Sequence, residues 1–336
     1  MDPLTQGTVG AAFSQSSADK KNIFKISIIG FLAGLAPDLD VLIQSSTDPI
    51  LFLEYHRQFS HSLFFIPFGS LIVAALIFPL FKKSMSFKTL YIASFLGYAT
   101  HGLLDACTSY GTLLFWPFSN ERVTWNNISI IDPIFTIPVL ILIGIAIKTK
   151  RKIFSFFSIG WIIFYLSLGF IQYERALSTA NDLAESRGHN PERLTLKPSF
   201  GNLILWKSIY EYEKTFYVDA IRTVQSSTVC LGESIKIFDY QEHLPDLDKE
   251  SQQALDIERF RWFSQDYLGF DEEKSLVTDV RYSMLPNQIE PMWGLVIDDL
   301  RDTNEHAIWW TGRDVDESQW NLFVKMLGGK ECKVQS

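Results

Sequence analysis

The sequence predicts a mainly α protein: a polytopic helical membrane domain of about five spans over residues 1–171, then a soluble α+β domain over residues 172–336. Three observations carry that expectation. Five apolar segments crowd the first half, each near the roughly 20 residues a spanning helix needs. Charge is divided unevenly: residues 1–171 hold 12 Lys+Arg against 9 Asp+Glu, a net of +3, whereas residues 172–336 hold 18 against 29, a net of -11, which together make the chain's -8. The basic clusters also fall in alternate loops, as the positive-inside rule requires of a multi-pass chain.

The segments run in order from Ile23 to Ile43, Leu63 to Phe81, Thr89 to Cys107, Ile128 to Ile147 and Ile153 to Ile171. Lys25 weakens the first and Pro37 breaks it, and the third carries His101 and Asp105. Either of these two suits a half-buried or re-entrant element. Before them lies a polar stretch of about twenty residues, read as retained because the first apolar run ends in Pro37-Asp38-Leu39-Asp40 and not in a small-residue cleavage site. Lys20 and Lys21, then Lys82, Lys83 and Lys88, then Lys148, Lys150, Arg151 and Lys152 mark the cytoplasmic loops. The intervening loops, 44–62 and 108–127, then face outward, and an odd number of spans sends everything after Gln172 to the periplasm.

In the second half, residues 202–224 alternate in strand fashion with a turn at Glu213-Lys214, and residues 249–267 read as an amphipathic helix. Further strands are expected over 276–282 and 292–297, and a last helix over 316–327. The acidic balance, with no basic stripe, argues against nucleic acid as a partner. Cys107 ends a predicted span, while Cys230 and Cys332 fall in the compartment predicted to be oxidising and are candidates for a bridge.

Ionisable residues stand where spanning sequence should have none: Asp38, Asp40, His56, His61, His101, Asp105 and Asp132. All seven fall on the predicted outer face. Such groups are costly beside hydrocarbon and are functional candidates by default. Asp and His are the ligand chemistry of a divalent metal such as zinc. His101 and Asp105 are four apart in a helical segment, which sets their Cβ atoms about 6 Å apart on one face. The same pair could instead be a capping Asp and an interfacial His. Asp38 and Asp40 could be interfacial polar residues, or supply one carboxylate ligand while the other orients a histidine or acts as base. The stretch from Glu54 to Ser62 puts His56, Arg57 and His61 together, and an arginine near a metal is a clamp for a phosphate or carboxylate.

Five ordered boxes and the N-terminus carry a family resemblance. Met1-Asp2-Pro3-Leu4-Thr5-Gln6, Pro37-Asp38-Leu39-Asp40, His56-Arg57 with His61-Ser62, His101-Gly102-Leu103-Leu104-Asp105, Tyr110-Gly111 with Trp116-Pro117-Phe118, and Ile131-Asp132-Pro133 resemble the YdjM-type inner-membrane, metal-dependent hydrolases. That family is regarded as distantly akin to zinc-dependent phospholipase C and nuclease P1. Arg259-Phe260-Arg261-Trp262-Phe263 and Val280-Arg281-Tyr282 are similar to longer members. The resemblance implies a ligand set of Asp38 or Asp40, His56 or His61, His101 and Asp105, holding one divalent ion, zinc. This chain departs from the pattern at Gln6, where many members carry His. The implied chemistry is hydrolysis of an ester or phosphoester in a lipid or envelope-derived substrate at the bilayer, with Asp40, Arg57 and Asp132 as the catalytic candidates. The rival expectation is a transporter or structural membrane protein whose buried Asp and His line an outer-face cavity; the crowding of these residues on one face favours the enzyme. Oligomeric state is left open.

Overall fold

A computed structural model of the chain describes residues 1–298, 300–312, 316–330 and 332–334. The chain divides into two compact units: residues 1–43, 55–171 and 200–202 form one, and residues 44–54, 172–199 and 203–336 form the other.

The first unit is helical: α1 (Pro3–Ser16), α2 (Ile23–Leu35), α3 (Leu51–Tyr55, begun in the segment that belongs to the second unit), α4 (Ile66–Phe81), α5 (Phe87–Ala106), α6 (Pro133–Thr149) and α7 (Ile153–Ser186, which from Gln172 onward belongs to the second unit). Short 3-10 turns follow α2 (Ala36–Leu42) and precede α4 (Phe59–His61, Leu63–Phe65). Side-chain caps start the helices where the sequence supplies them. Asp2 accepts from Thr5 N ahead of Pro3, and Asp132 accepts from Ile134 N and Phe135 N ahead of Pro133. Each satisfies amide donors that a helix N-terminus leaves open.

The expectation of five spans is overturned. Among the described residues only two helices have the length and composition to cross a membrane, one over Leu63–Phe81 and one within Ile153–Ser186. Exposed apolar side chains line both, including Leu76, Leu80, Ile163 and Phe164. The first predicted span is cut short because Pro37 turns the chain into a 3-10 segment, leaving α2 with 13 residues, about 20 Å of helix against a hydrocarbon core of about 30 Å. The third becomes α5, whose buried face includes Tyr98, Thr100, His101 and Asp105. The fourth becomes α6, a 17-residue helix.

The polar N-terminal stretch is the buried helix α1, packed on α2, α5 and α6. Glycines allow that proximity: a Cβ on Gly10 or on Gly97 would lie 2.5 Å from Gly30 O, so α1 and α5 both rest on the backbone of α2. The buried polar groups of α1 find partners there. Ser14 Oγ donates to Ala93 O at 2.7 Å, Gln15 Nε2 donates to Ser27 Oγ at 2.8 Å, and Thr5 Oγ1 meets Thr136 Oγ1 at 2.6 Å.

The second unit is built on two antiparallel sheets. Strands β1 (Arg193–Pro198), β2 (Leu205–Tyr212), β3 (Thr215–Thr223), β4 (Ser227–Lys236) and β9 (Lys333–Val334) lie in the order β1-β2-β3-β4-β9. Strands β5 (Leu268–Asp271), β6 (Leu276–Asp279), β7 (Trp293–Val296) and β8 (Ile308–Thr311) form the other sheet in chain order. The β2–β3 hairpin turns at Glu213 and Lys214, both with positive φ, as a two-residue hairpin turn requires. Helices α8 (Tyr240–His243), α9 (Gln252–Phe263) and α10 (Glu317–Leu327) complete the unit, and Ile257, Phe260 and Phe263 of α9 are fully buried.

A disulfide joins Cys230 to Cys332 across 102 residues, while Cys107 is a buried free thiol. A cross-link closing so long a loop stabilises by restricting the unfolded chain, typically by about 2–4 kcal/mol. Replacing both cysteines by Ala should lower the unfolding free energy of the second unit by about that amount, read from the denaturant midpoint of its tryptophan fluorescence. An unchanged midpoint under non-reducing conditions would contradict the bridge.

Candidate metal centre

Four side chains from three elements converge inside the helical unit. Asp38 comes from the 3-10 turn after α2, His61 ends the turn before α4, and His101 and Asp105 sit one helical turn apart near the end of α5. One ligand atom from each lies within 4.8 Å of all the others. His101 Nε2 is 2.9 Å from His61 Nε2, 3.3 Å from Asp38 Oδ1 and 3.5 Å from Asp105 Oδ2. His61 Nε2 is 3.4 Å from Asp38 Oδ1 and 3.2 Å from Asp105 Oδ2. A tetrahedron whose corners lie about 2.0 Å from a central zinc has edges of about 3.3 Å, and these distances bracket that value.

The remaining atoms of these residues dictate where the lone pairs point. His101 Nδ1 meets Gly34 O at 2.5 Å; a carbonyl only accepts, so Nδ1 carries the hydrogen and Nε2 presents its lone pair. His61 Nδ1 lies 3.2 Å from Asp40 Oδ2 and 3.0 Å from Ser60 Oγ, and pairing with the carboxylate fixes the same tautomer. Asp40 is itself held, by His56 Nδ1 at 2.8 Å, Arg57 N at 3.0 Å and Ser60 Oγ at 2.7 Å. Asp105 Oδ1 accepts from Gln6 Nε2 at 3.0 Å and from the Met1 ammonium, whereas the wholly buried Oδ2 has no hydrogen-bond partner. The donor set fits a divalent metal: two imidazole nitrogens and two carboxylate oxygens, with His61, His101 and Asp105 each held by an outer partner.

The electrostatics agree. Burial opposes a charge on His61, yet Asp105, Asp38 and Asp40 together push its pKa up to about 10. Burial likewise opposes charge on Asp105, and Arg57 and the N-terminus outweigh it and hold that carboxyl well below its usual range. The site therefore draws positive charge to its centre.

Of the remaining candidates, His56 and Asp40 form with Asp38 a second group able to face one ion, on the side where His56 and Asp38 keep partial exposure. Arg57 is buried, with Nε 3.4 Å from Asp105 Oδ2 and its guanidinium 4.7 Å over the Tyr110 ring. Its backbone has φ 67, a conformation that costs a non-glycine residue of order 1 kcal/mol and is held by Arg57 N to Asp40 and by Leu113 N to Arg57 O at 2.9 Å. Asp132 lies outside the group: its carboxylate caps α6 and accepts from Tyr165 Oη at 2.7 Å. Ser60 and the Gly34 carbonyl are contributors that residue type alone did not single out. Ser60 was within reach, standing between two histidines; a backbone carbonyl leaves no signal in a sequence.

Residues 1–176 match the model of the YdjM inner membrane protein family, and the chain belongs to that family. YfhP of Bacillus subtilis (strain 168), described as an uncharacterized protein, is 32% identical over 119 residues, which cover 35% of this chain and 36% of that protein. The chain thus spans about a third of the length of that curated relative. No solved structure matches the present chain.

Two outcomes follow from the outer partners. A Cβ on Gly102 would stand 2.0 Å from His61 O, so Gly102→Ala must push the His61 backbone away and should cut zinc affinity at least tenfold. Asp40→Asn removes the charge that orients His61 and should cost about 10–100-fold in affinity. Competition with a calibrated chelator measures both, and wild-type affinity in the two variants would contradict the geometry described.

Proposed function

We propose that this YdjM-family chain is a membrane-bound, zinc-dependent hydrolase of an ester or phosphoester, with Asp38, His61, His101 and Asp105 as the ligands of one ion. The observation that carries this reading is the convergence of two histidine lone pairs and two carboxylate oxygens, with the other polar atoms of His61, His101 and Asp105 already engaged. Zinc held there would polarise the scissile group and lower the pKa of a bound water toward ~7. Asp40 orients His61 and, through His56 Nδ1, fixes a second imidazole at the rim of the site. His56 is thereby placed to accept a proton as the ester is cleaved. Arg57 sets a permanent positive charge beside Asp105, complementary to an anionic phosphoester.

Location supports a lipid or envelope-derived substrate. His61 stands two residues before the apolar stretch Leu63–Phe81, and Lys82 and Lys83 follow it, so the site lies at the end remote from the lysines. Lysine-rich ends favour the cytoplasm, which supports a centre on the periplasmic side. Lys148, Lys150, Arg151 and Lys152 at the start of α7 give the same sense for residues 172–336, and the Cys230–Cys332 bridge suits that oxidising compartment. Leu39 and Leu42, exposed next to Asp38 and Asp40, and Phe64 beside Phe118 ring this end with apolar surface. Such surface suits a substrate presented at the membrane interface.

The test is metal content followed by turnover. Detergent-purified protein should carry one zinc per chain. His61→Ala, His101→Ala and Asp105→Ala should each lose most of it while remaining inserted, and His189→Ala, His243→Ala and His306→Ala should keep it. Phospholipid in nanodiscs should be hydrolysed by the wild type and spared after chelation. Stoichiometric metal in both His61→Ala and His101→Ala, or hydrolysis indifferent to chelator, would overturn the reading.

A further inference from the structure

We infer that Gln6 is a positioning residue that holds Asp105 to a single-oxygen contact with the ion and so keeps the next coordination position open for water; this rests on the function proposed above. A carboxylate beside a metal offers it one oxygen or two. The two oxygens of Asp105 have different surroundings. Oδ2 lies 3.2 Å from His61 Nε2 and 3.5 Å from His101 Nε2 and has no hydrogen-bond partner. Oδ1 accepts from Gln6 Nε2 at 3.0 Å and from the Met1 ammonium. Every residue of this arrangement belongs to the first unit.

The partners of Gln6 dictate which end of its amide faces the centre. Asp105 Oδ1 and the His101 carbonyl, the latter 3.4 Å from Nε2, both accept, so the amide turns its N–H groups to them. Oε1 is then left buried without a hydrogen-bond partner. A methionine of similar length would strand no acceptor there, and a stranded acceptor in a packed interior calls for a reason. The N–H directed at Asp105 supplies one.

Gln6 is fastened where it stands. It is fully buried in α1, its backbone N–H donates to Asp2 O at 3.1 Å, and its carbonyl lies so near α2 that a Cβ on Gly34 would stand 2.7 Å from it. Thr5 Oγ1 meets Thr136 Oγ1 at 2.6 Å and Asp2 N donates to Ile130 O at 3.0 Å, which ties the start of α1 to the start of α6. Turning Oδ1 toward the ion would break its bond to Gln6, and a helix packed this closely does not shift to preserve it. The consequence lies in the coordination number. Zinc takes four ligands and expands to five in reaction. With Asp38, His61, His101 and Asp105 Oδ2 in place, the fifth position falls either to Asp105 Oδ1 or to water, and Gln6 keeps Oδ1 out of it.

The experiment uses the full chain in detergent with cobalt(II) alone as probe, because its visible absorption is intense in a four-coordinate site and falls as the coordination number rises. Absorption per bound cobalt and the thermal midpoint are measured for the wild type, Gln6→Met, Gln6→Asn, whose amide stops one methylene short, and Gln15→Met. Gln15 is the matched control: it is buried in the same helix, donates to Ser27 Oγ at 2.8 Å and accepts from Ser155 Oγ at 2.7 Å, and neither partner is a ligand. The Met1 ammonium is common to all four proteins, so the comparison isolates the amide. Both Gln6 variants should lower the absorption per cobalt at least twofold. Gln15→Met should lower the thermal midpoint and leave the spectrum as in the wild type. An unchanged spectrum in both Gln6 variants, or an equal fall in Gln15→Met, would overturn the inference. Phospholipid hydrolysis by the wild type separates this inference from the reading it rests on: a spectrum that responds to Gln6 in a protein without hydrolysis would defeat the proposed function and leave Gln6 in its place beside the metal. A wild type that takes up no cobalt would overturn both.

Discussion

Two imidazole lone pairs and two carboxylate oxygens, brought to within 4.8 Å of one another in a largely buried place, repel unless positive charge stands among them. The organisation of the helical unit follows from holding that arrangement. His101 is fixed by the Gly34 carbonyl, His61 by Asp40 and Ser60, and Asp105 by Gln6 and the N-terminal ammonium. Asp38 differs from the other three in keeping partial exposure.

Backbone proximity sets the ligands at this range. Gly34 closes against Gln6 O, where a Cβ would lie at 2.7 Å, and Gly102 closes against His61 O. The first contact joins α1 to α2 beside the carbonyl that holds His101; the second joins α5 to the turn that carries His61. Neither involves a side chain, which makes the geometry stiff: backbone shifts cost more than rotamer changes, and packed interiors transmit small displacements. The strained Arg57 backbone belongs to the same frame, because its αL conformation lets Arg57 N reach Asp40 while its carbonyl accepts from Leu113.

Much of the centre was legible in the sequence because its residues are chemically conspicuous. Asp38, His61, His101 and Asp105 are ionisable groups in apolar surroundings, and the spacing of four between His101 and Asp105 translates directly into one face of a helix. The choice within the pairs Asp38/Asp40 and His56/His61 was not legible, since it turns on a 3-10 turn and on hydrogen bonds whose geometry leaves no periodic signal. The number of spans was misjudged for a physical reason. Hydropathy does not distinguish a helix that faces lipid from one buried among helices, and α2 and α5 are apolar because they pack on α1. That helix was missed outright, being rich in Gly, Ser, Thr and Gln, a composition that suits close packing with internally satisfied polar groups as well as it suits a polar tail. In the second unit, the β2–β3 hairpin, β6, β7, α9 and α10 fall where alternation, apolar runs and amphipathicity put them, while β1, β4, β5, β8 and β9 lie outside the predicted strands.

The central claim concerns the atoms around one ion, and X-ray absorption at the zinc edge reads them most directly. On purified, zinc-loaded protein the spectrum should show four light ligands at about 2.0 Å, with the outer-shell scattering of two imidazole rings. An all-oxygen shell, a sulfur ligand, or imidazole scattering that survives when His61 and His101 are both replaced by Ala would contradict the account.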